Sequence, residues 1–100
     1  MDKVALITGG ARRLGAAIAT QLHAEGYRVA IHCQHSVTEA GALAARLNAL
    51  RTDSAVTFPA DLRDDAAPSP LVAAVAMHWG RLDALINNAA VYQPAALATA

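Results

Sequence analysis

Four short apolar runs alternate with three helical patterns along this chain, and that alternation constrains the fold more than any other feature. The runs are Val4-Ala5-Leu6-Ile7, Val29-Ala30-Ile31, Ala55-Val56-Thr57-Phe58, and Leu85-Ile86 with Leu82. They are largely continuous rather than alternating, which is the pattern of strands buried on both faces. Between them, Leu14, Ile18 and Leu22 fall at helical spacing, and Gly26 stands where a C-cap glycine belongs. Leu43, Leu47 and Leu50 repeat the spacing with Arg46 and Arg51 on or near the polar side. Leu71, Val75 and Trp79 repeat it before Gly80. Pro68 and Pro70 suit the start of a helix and not its interior, so the third helix is expected to begin near them, after a loop over 61–67. Such a succession builds βαβ units around a parallel sheet. The expected fold is α/β, a Rossmann-type doubly wound parallel sheet, and right-handed crossovers give the strand order 3-2-1-4.

Composition narrows the function classes. Eight Lys+Arg balance eight Asp+Glu in 100 residues, of which 55% are hydrophobic and 16% charged. The chain is too apolar for intrinsic disorder and lacks the basic excess of a non-specific nucleic-acid binder. Charged residues interrupt every long apolar stretch, so no run reaches the ~20 residues of a membrane span. Met1-Asp2-Lys3 leads straight into a strand pattern, without the layout of a signal peptide. A cytoplasmic protein is expected, with neither nucleic acid nor membrane as partner. A single cysteine, Cys33, rules out an internal disulfide framework and reads as a small buried filler. His23, His32, His35 and His78 have no metal-ligand spacing, and no metal site is expected. His23 and His78 are expected to be exposed helix residues, while His32, at a strand end, fits a satisfied structural role.

The first strand runs into Thr8-Gly9-Gly10-Ala11-Arg12-Arg13-Leu14-Gly15 and then a helix. Glycines permit the tight turn and a close approach of backbone to a pyrophosphate, and the helix N-terminus then receives the anion. A ligand-free glycine turn is the alternative. Gly9, Arg12, Arg13, Leu14 and Gly15 are the candidate contacts in this loop. In sheets of this kind an acidic residue at the end of the second strand holds the ribose 2′-hydroxyl of NAD. Here that end is His32-Cys33-Gln34-His35-Ser36, with no carboxylate. Together with Arg13, and Arg12 as a weaker candidate, this favours NADP(H). Ser36 and His35 are candidate partners of the 2′-phosphate, although Ser36 equally fits a helix cap.

Asp61-Leu62 follows the third strand. The carboxylate can accept from an adenine amino group while the adjacent backbone serves the ring, or it can cap a turn. The fourth strand ends in Asn87-Asn88-Ala89-Ala90, where small residues let a cofactor lie against the backbone and asparagines can tie strand ends together. Gly9, Arg13, Ser36, Asp61 and Asn88 all map to the carboxyl edge of the sheet, where ligands of open α/β sheets sit. Tyr92 lies a few residues on, as a stacking surface for a planar substrate or as a loop anchor.

Thr8-Gly9 with Gly15, Asp61, and Asn87-Asn88-Ala89 together resemble the front half of a short-chain dehydrogenase/reductase, and the resemblance covers essentially the whole chain. Within that superfamily, Arg13-Leu14-Gly15, His23-Ala24-Glu25-Gly26-Tyr27, the segment His32 to Ser36, and His78-Trp79-Gly80-Arg81 are similar to the pteridine reductases. Most superfamily members carry glycine where this chain has Arg13. The resemblance implies an NADPH-dependent reductase of pterins or dihydrofolate. It implies that Arg13 touches cofactor phosphate and substrate, that His35 and Ser36 hold the 2′-phosphate, and that Tyr92 stacks on the pterin. Ala90 departs from the serine frequent in that family. The resemblance also implies a catalytic Tyr-x-x-x-Lys pair, which residues 1–100 do not contain. The chain is therefore expected to be the N-terminal part of a single NADP-binding Rossmann domain, inactive alone, with the catalytic half absent. The full-length protein is expected to be a homo-oligomer, and the resemblance implies a tetramer. Another short-chain reductase, of 3-oxoacyl type, and a non-catalytic dinucleotide-binding fragment are the alternatives.

Overall fold

The computed structural model describes residues 2–9, 13–60 and 68–88, except the side chains of 68 and 69. Within them the element order is β1 (Val4–Ile7), α1 (Arg13–Ala24), β2 (Arg28–Cys33), α2 (Val37–Leu50), β3 (Ala55–Pro59), α3 (Pro68–Trp79) and β4 (Ala84–Ile86). The strands form one parallel sheet in the order β3-β2-β1-β4, as the crossover rule requires. β1 is fully buried because it lies between two strands and under helices on both faces. Its side chains alternate: Ala5 and Ile7 pack with α1 and α2, whereas Val4 and Leu6 pack with Leu71 and Val75 of α3. β1 and β2 are thus covered on both sides, and their apolar runs are continuous for that reason; β3 is mostly half-buried, and in β4 Leu85 is exposed, short of the burial on both faces that the runs suggest.

α1 ends in a Schellman turn. Gly26 takes a left-handed φ of +102°, the Gly26 N–H donates to the His23 carbonyl, and the Tyr27 N–H donates to that of Leu22. The helix lies on the sheet differently from the row of large residues. Gly15, Ala19 and His23 form its buried stripe, Ile18 and Leu22 flank it, and Leu14 is 64% exposed. Small residues take the deepest positions because they let the helix backbone approach the strands. On α2, Ala40, Leu43, Ala44 and Leu47 are buried, but Leu50 is 74% exposed. At 100° per residue Leu50 lies about 70° from the centre of that face, and the half-buried Arg51 falls closer to it. On α3, Leu71 and Val75 are buried and Trp79 packs beside them, as the spacing predicts.

Two side chains pin the sheet's flanks. Asn48 Oδ1 accepts the N–H groups of Ser54 and Ala55, which sets where β3 begins. Asp83 accepts the Val4 N–H at 2.8 Å and forms a bidentate pair with Arg81, aligning the starts of β1 and β4. The Arg81 hydrogen bonds, helped by the Val4 N–H, pull the Asp83 carboxyl down to about 2.

Gly41 sits exposed inside α2, and a Cβ there would meet nothing within 4 Å. Gly41→Ala is therefore expected to stabilise the protein by about 1 kcal/mol through helix propensity alone. The urea midpoint should rise with an unchanged m-value; a fall would mean that α2 is not helical there.

Candidate functional site

The carboxyl ends of the four strands form one rim. The chain adds β2 and β3 on one side of β1 and β4 on the other, so the switch point of the sheet falls between β1 and β4. Thr8 and Gly9 continue β1 onto the rim. Thr8 is buried, and it joins β1 to β4: its N–H donates to the Ile86 carbonyl at 2.9 Å, and its hydroxyl accepts the Asn88 N–H at 2.7 Å. The same hydroxyl lies 3.3 Å from Asn87 Oδ1. The expected asparagine tie between strand ends is thus present, made by the Asn87 side chain and the Asn88 backbone. Its centre is Thr8, a role that the residue's place inside a glycine motif concealed.

Gly9 leaves the strand at a left-handed φ of +63°. Its N–H donates to His32 Nδ1 at 2.9 Å, so Gly9 shapes the loop by conformation while its amide is already engaged. α1 opens at Arg13 with no acidic residue in its first turn to offset its positive end. Arg13 is exposed and holds φ at +49°, a region that costs a residue with a Cβ roughly 1–2 kcal/mol. Glycine is the natural occupant of such a backbone. A guanidinium there, next to an anion-ready helix end, is strain at a position suited to ligand contact. Leu14 is exposed beside it, and Gly15 is buried against the sheet.

At the end of β2, His35 is exposed and Ser36 half-buried. Ser36 occupies the N-cap position of α2, yet its hydroxyl makes no capping bond. His32 is buried and hydrogen-bonded at both ring nitrogens, in keeping with a satisfied histidine. Cys33 is buried, and burial first, then the charge of Glu39, pushes its thiol up, so it is the inert filler the sequence suggests. Gly9, Arg13, Leu14, Gly15, His35, Ser36 and Asn88 therefore belong to the loops and helix starts that follow the strands at this rim. Arg12, Asp61, Leu62, Ala89 and Tyr92 lie outside the described residues.

His23 departs from expectation. It is 3% exposed rather than on the surface, with Nε2 2.7 Å from Ser54 Oγ. Ser54 Oγ in turn donates to the Arg51 carbonyl, while the Arg51 guanidinium donates to the carbonyls of His23 and Tyr27. This cluster sits at the far end of α1 from the rim. The signal for it was the i, i+4, i+8 row that His23 continues from the small residues Gly15 and Ala19. Burial, and secondarily the Arg51 charge, lowers the His23 pKa below 6.5. The unfolded chain then binds a proton that the folded chain refuses, so stability should fall as pH drops below 6.5 and be level in this respect above it. Urea titrations across that range should show a slope that weakens in His23→Gln; an equal slope in both proteins would contradict the assignment.

A family model for short chain dehydrogenases matches residues 3–100. Pteridine reductase 1 of Leishmania tarentolae is 47% identical over 111 aligned positions, covering 94% of this chain and 38% of that protein. Versicolorin reductase 1 of Aspergillus parasiticus is 38% identical, covering 89% of this chain and 34% of its own length. A 3-oxoacyl-(acyl-carrier-protein) reductase of Staphylococcus aureus is 36% identical, covering 91% and 37%. The chain thus spans between about a third and two fifths of these relatives. Among the described residues, no helix is long and apolar enough to cross a membrane.

Proposed function

Because the chain belongs to the short chain dehydrogenase family, we propose that it is the dinucleotide-binding part of a cytoplasmic, NADPH-dependent reductase of pterins and dihydrofolate-type substrates. The observation that carries this is the strained, exposed Arg13 at a rim whose β2 end bears no carboxylate. A 2′-phosphate calls for a cation and neutral donors, and an acidic residue at that strand end would repel it. Arg13 supplies the cation. His35 and Ser36 supply donors, and the Ser36 hydroxyl is not engaged by a cap. The loop and the N–H groups opening α1 receive the pyrophosphate. Asp61 and Leu62 take the adenine, and Asn88 and Ala89 border the cofactor where it crosses the switch point. Tyr92 stacks on the pterin. NADPH, when bound, supplies the hydride that reduces a pterin C=N bond.

The likeness to pteridine reductase 1 supports a pterin substrate, and the weaker likeness to a 3-oxoacyl reductase makes a thioester the competing substrate. On this reading the functional unit is the full-length protein, assembled as a homotetramer. The test is NADPH oxidation by that protein with dihydrobiopterin, dihydrofolate and a 3-oxoacyl thioester in parallel. Turnover of a pterin or of dihydrofolate is expected. Activity with the thioester alone would refute the pterin substrate and leave the cofactor assignment standing.

A further inference from the structure

His32, in β2, bonds to the segments that follow two other strands. The Gly9 N–H can only donate, so Nδ1 accepts it at 2.9 Å and the ring proton must sit on Nε2. Nε2 lies 2.8 Å from the Ala60 carbonyl, which accepts that proton. The ring is 2% exposed. One imidazole therefore spans from the second residue after β1 to the first residue after β3, fixed in one tautomer by its two partners. The Ala60 N–H is held separately by the Cys33 carbonyl, so β3's end is anchored at both polar groups.

In a loop that receives phosphate, the backbone amides are expected to point at the ligand. That of Gly9 points at His32 instead. We infer that His32 is a positioning residue: by holding the Gly9 amide it fixes how the chain leaves β1, and so places Arg13 and the start of α1 for the cofactor phosphates. The inference rests on the dinucleotide reading of the rim. It differs from a packing role in that the bond to Gly9, rather than the volume of the ring, carries the effect.

Two substitutions separate the two bonds. His32→Asn offers Oδ1 near the place of Nδ1 and can keep the Gly9 bond, while losing Ala60. His32→Gln offers an amide N–H near the place of Nε2 and can keep the Ala60 bond, while losing Gly9. In the full-length enzyme, the Asn variant is expected to hold its KM for NADPH close to wild type. The Gln variant should raise that KM by about tenfold, the effect of one oriented hydrogen bond, with kcat at saturating NADPH retained. Equal KM values in the two variants, or a loss confined to kcat, would overturn the inference. Should either variant fail to fold, long-range 15N–1H correlation on selectively labelled wild-type protein decides: a proton on Nε2 of His32 supports the arrangement, and one on Nδ1 overturns it. This readout needs no cofactor. A wild-type protein that shows the Nε2 tautomer but binds no NADPH would therefore sink the cofactor assignment and not the loop contact.

Discussion

Arg13→Glu is expected to raise the dissociation constant for NADPH by roughly a hundredfold or more, and that for NADH by about tenfold or less. Losing a charge-assisted hydrogen bond to phosphate costs about 1.5–3 kcal/mol, and a carboxylate at the same point adds repulsion. NADH lacks the 2′-phosphate, so it feels only the change near its pyrophosphate. Calorimetric titration of the full-length protein with both nucleotides measures the ratio. An equal loss for both would remove the 2′-phosphate from the account of Arg13. The backbone supplies a second, independent handle. Arg13 holds φ at +49°, so Arg13→Gly relieves strain of roughly 1–2 kcal/mol, partly offset by the freedom glycine adds to the unfolded chain. That variant should be at least as stable as wild type and still bind NADPH poorly. Stability and affinity moving in opposite directions is the signature of a residue kept for its ligand rather than its fold.

Thr8→Val should destabilise the protein by about 1 kcal/mol although the two side chains are nearly isosteric, because the Asn88 N–H then loses its acceptor at a part-buried strand end. Thr8→Ser keeps the hydroxyl and should recover most of the loss. The damage falls at the seam between β1 and β4, so NADPH affinity should drop with stability in the valine variant and return in the serine one. Urea unfolding with a parallel nucleotide titration tests both. A valine variant as stable as wild type would mean that the strand ends are held by the ladder alone and that the hydroxyl is incidental.

The architecture was legible because it depends on coarse quantities. Continuous apolar runs identify doubly covered strands, and chirality of the crossovers fixes their order. Helix orientation was less legible. Large side chains dominate any hydrophobic row, yet in α1 the deepest stripe runs through Gly15 and Ala19, because close approach to a sheet selects for smallness, and on to His23, whose ring is met by Ser54. That inversion exposed Leu14 and buried His23. The rim was legible as a set of loop and strand-end residues, since glycines, a missing carboxylate and paired asparagines each have a local chemical meaning. The residues that lock it were not. Thr8 and His32 act through hydrogen bonds across 80 and 23 positions of sequence, and no local spacing encodes such a partner. A buried threonine in a glycine loop and a histidine closing an apolar strand were the only traces of them.

The most direct measurement is a crystal structure of the full-length protein with NADPH. The dinucleotide is predicted to lie across the carboxyl ends of β1 and β4, its pyrophosphate at the start of α1 and its 2′-phosphate among Arg13, His35 and Ser36. Nucleotide bound away from this rim, or a 2′-phosphate turned from Arg13 into solvent, would contradict it.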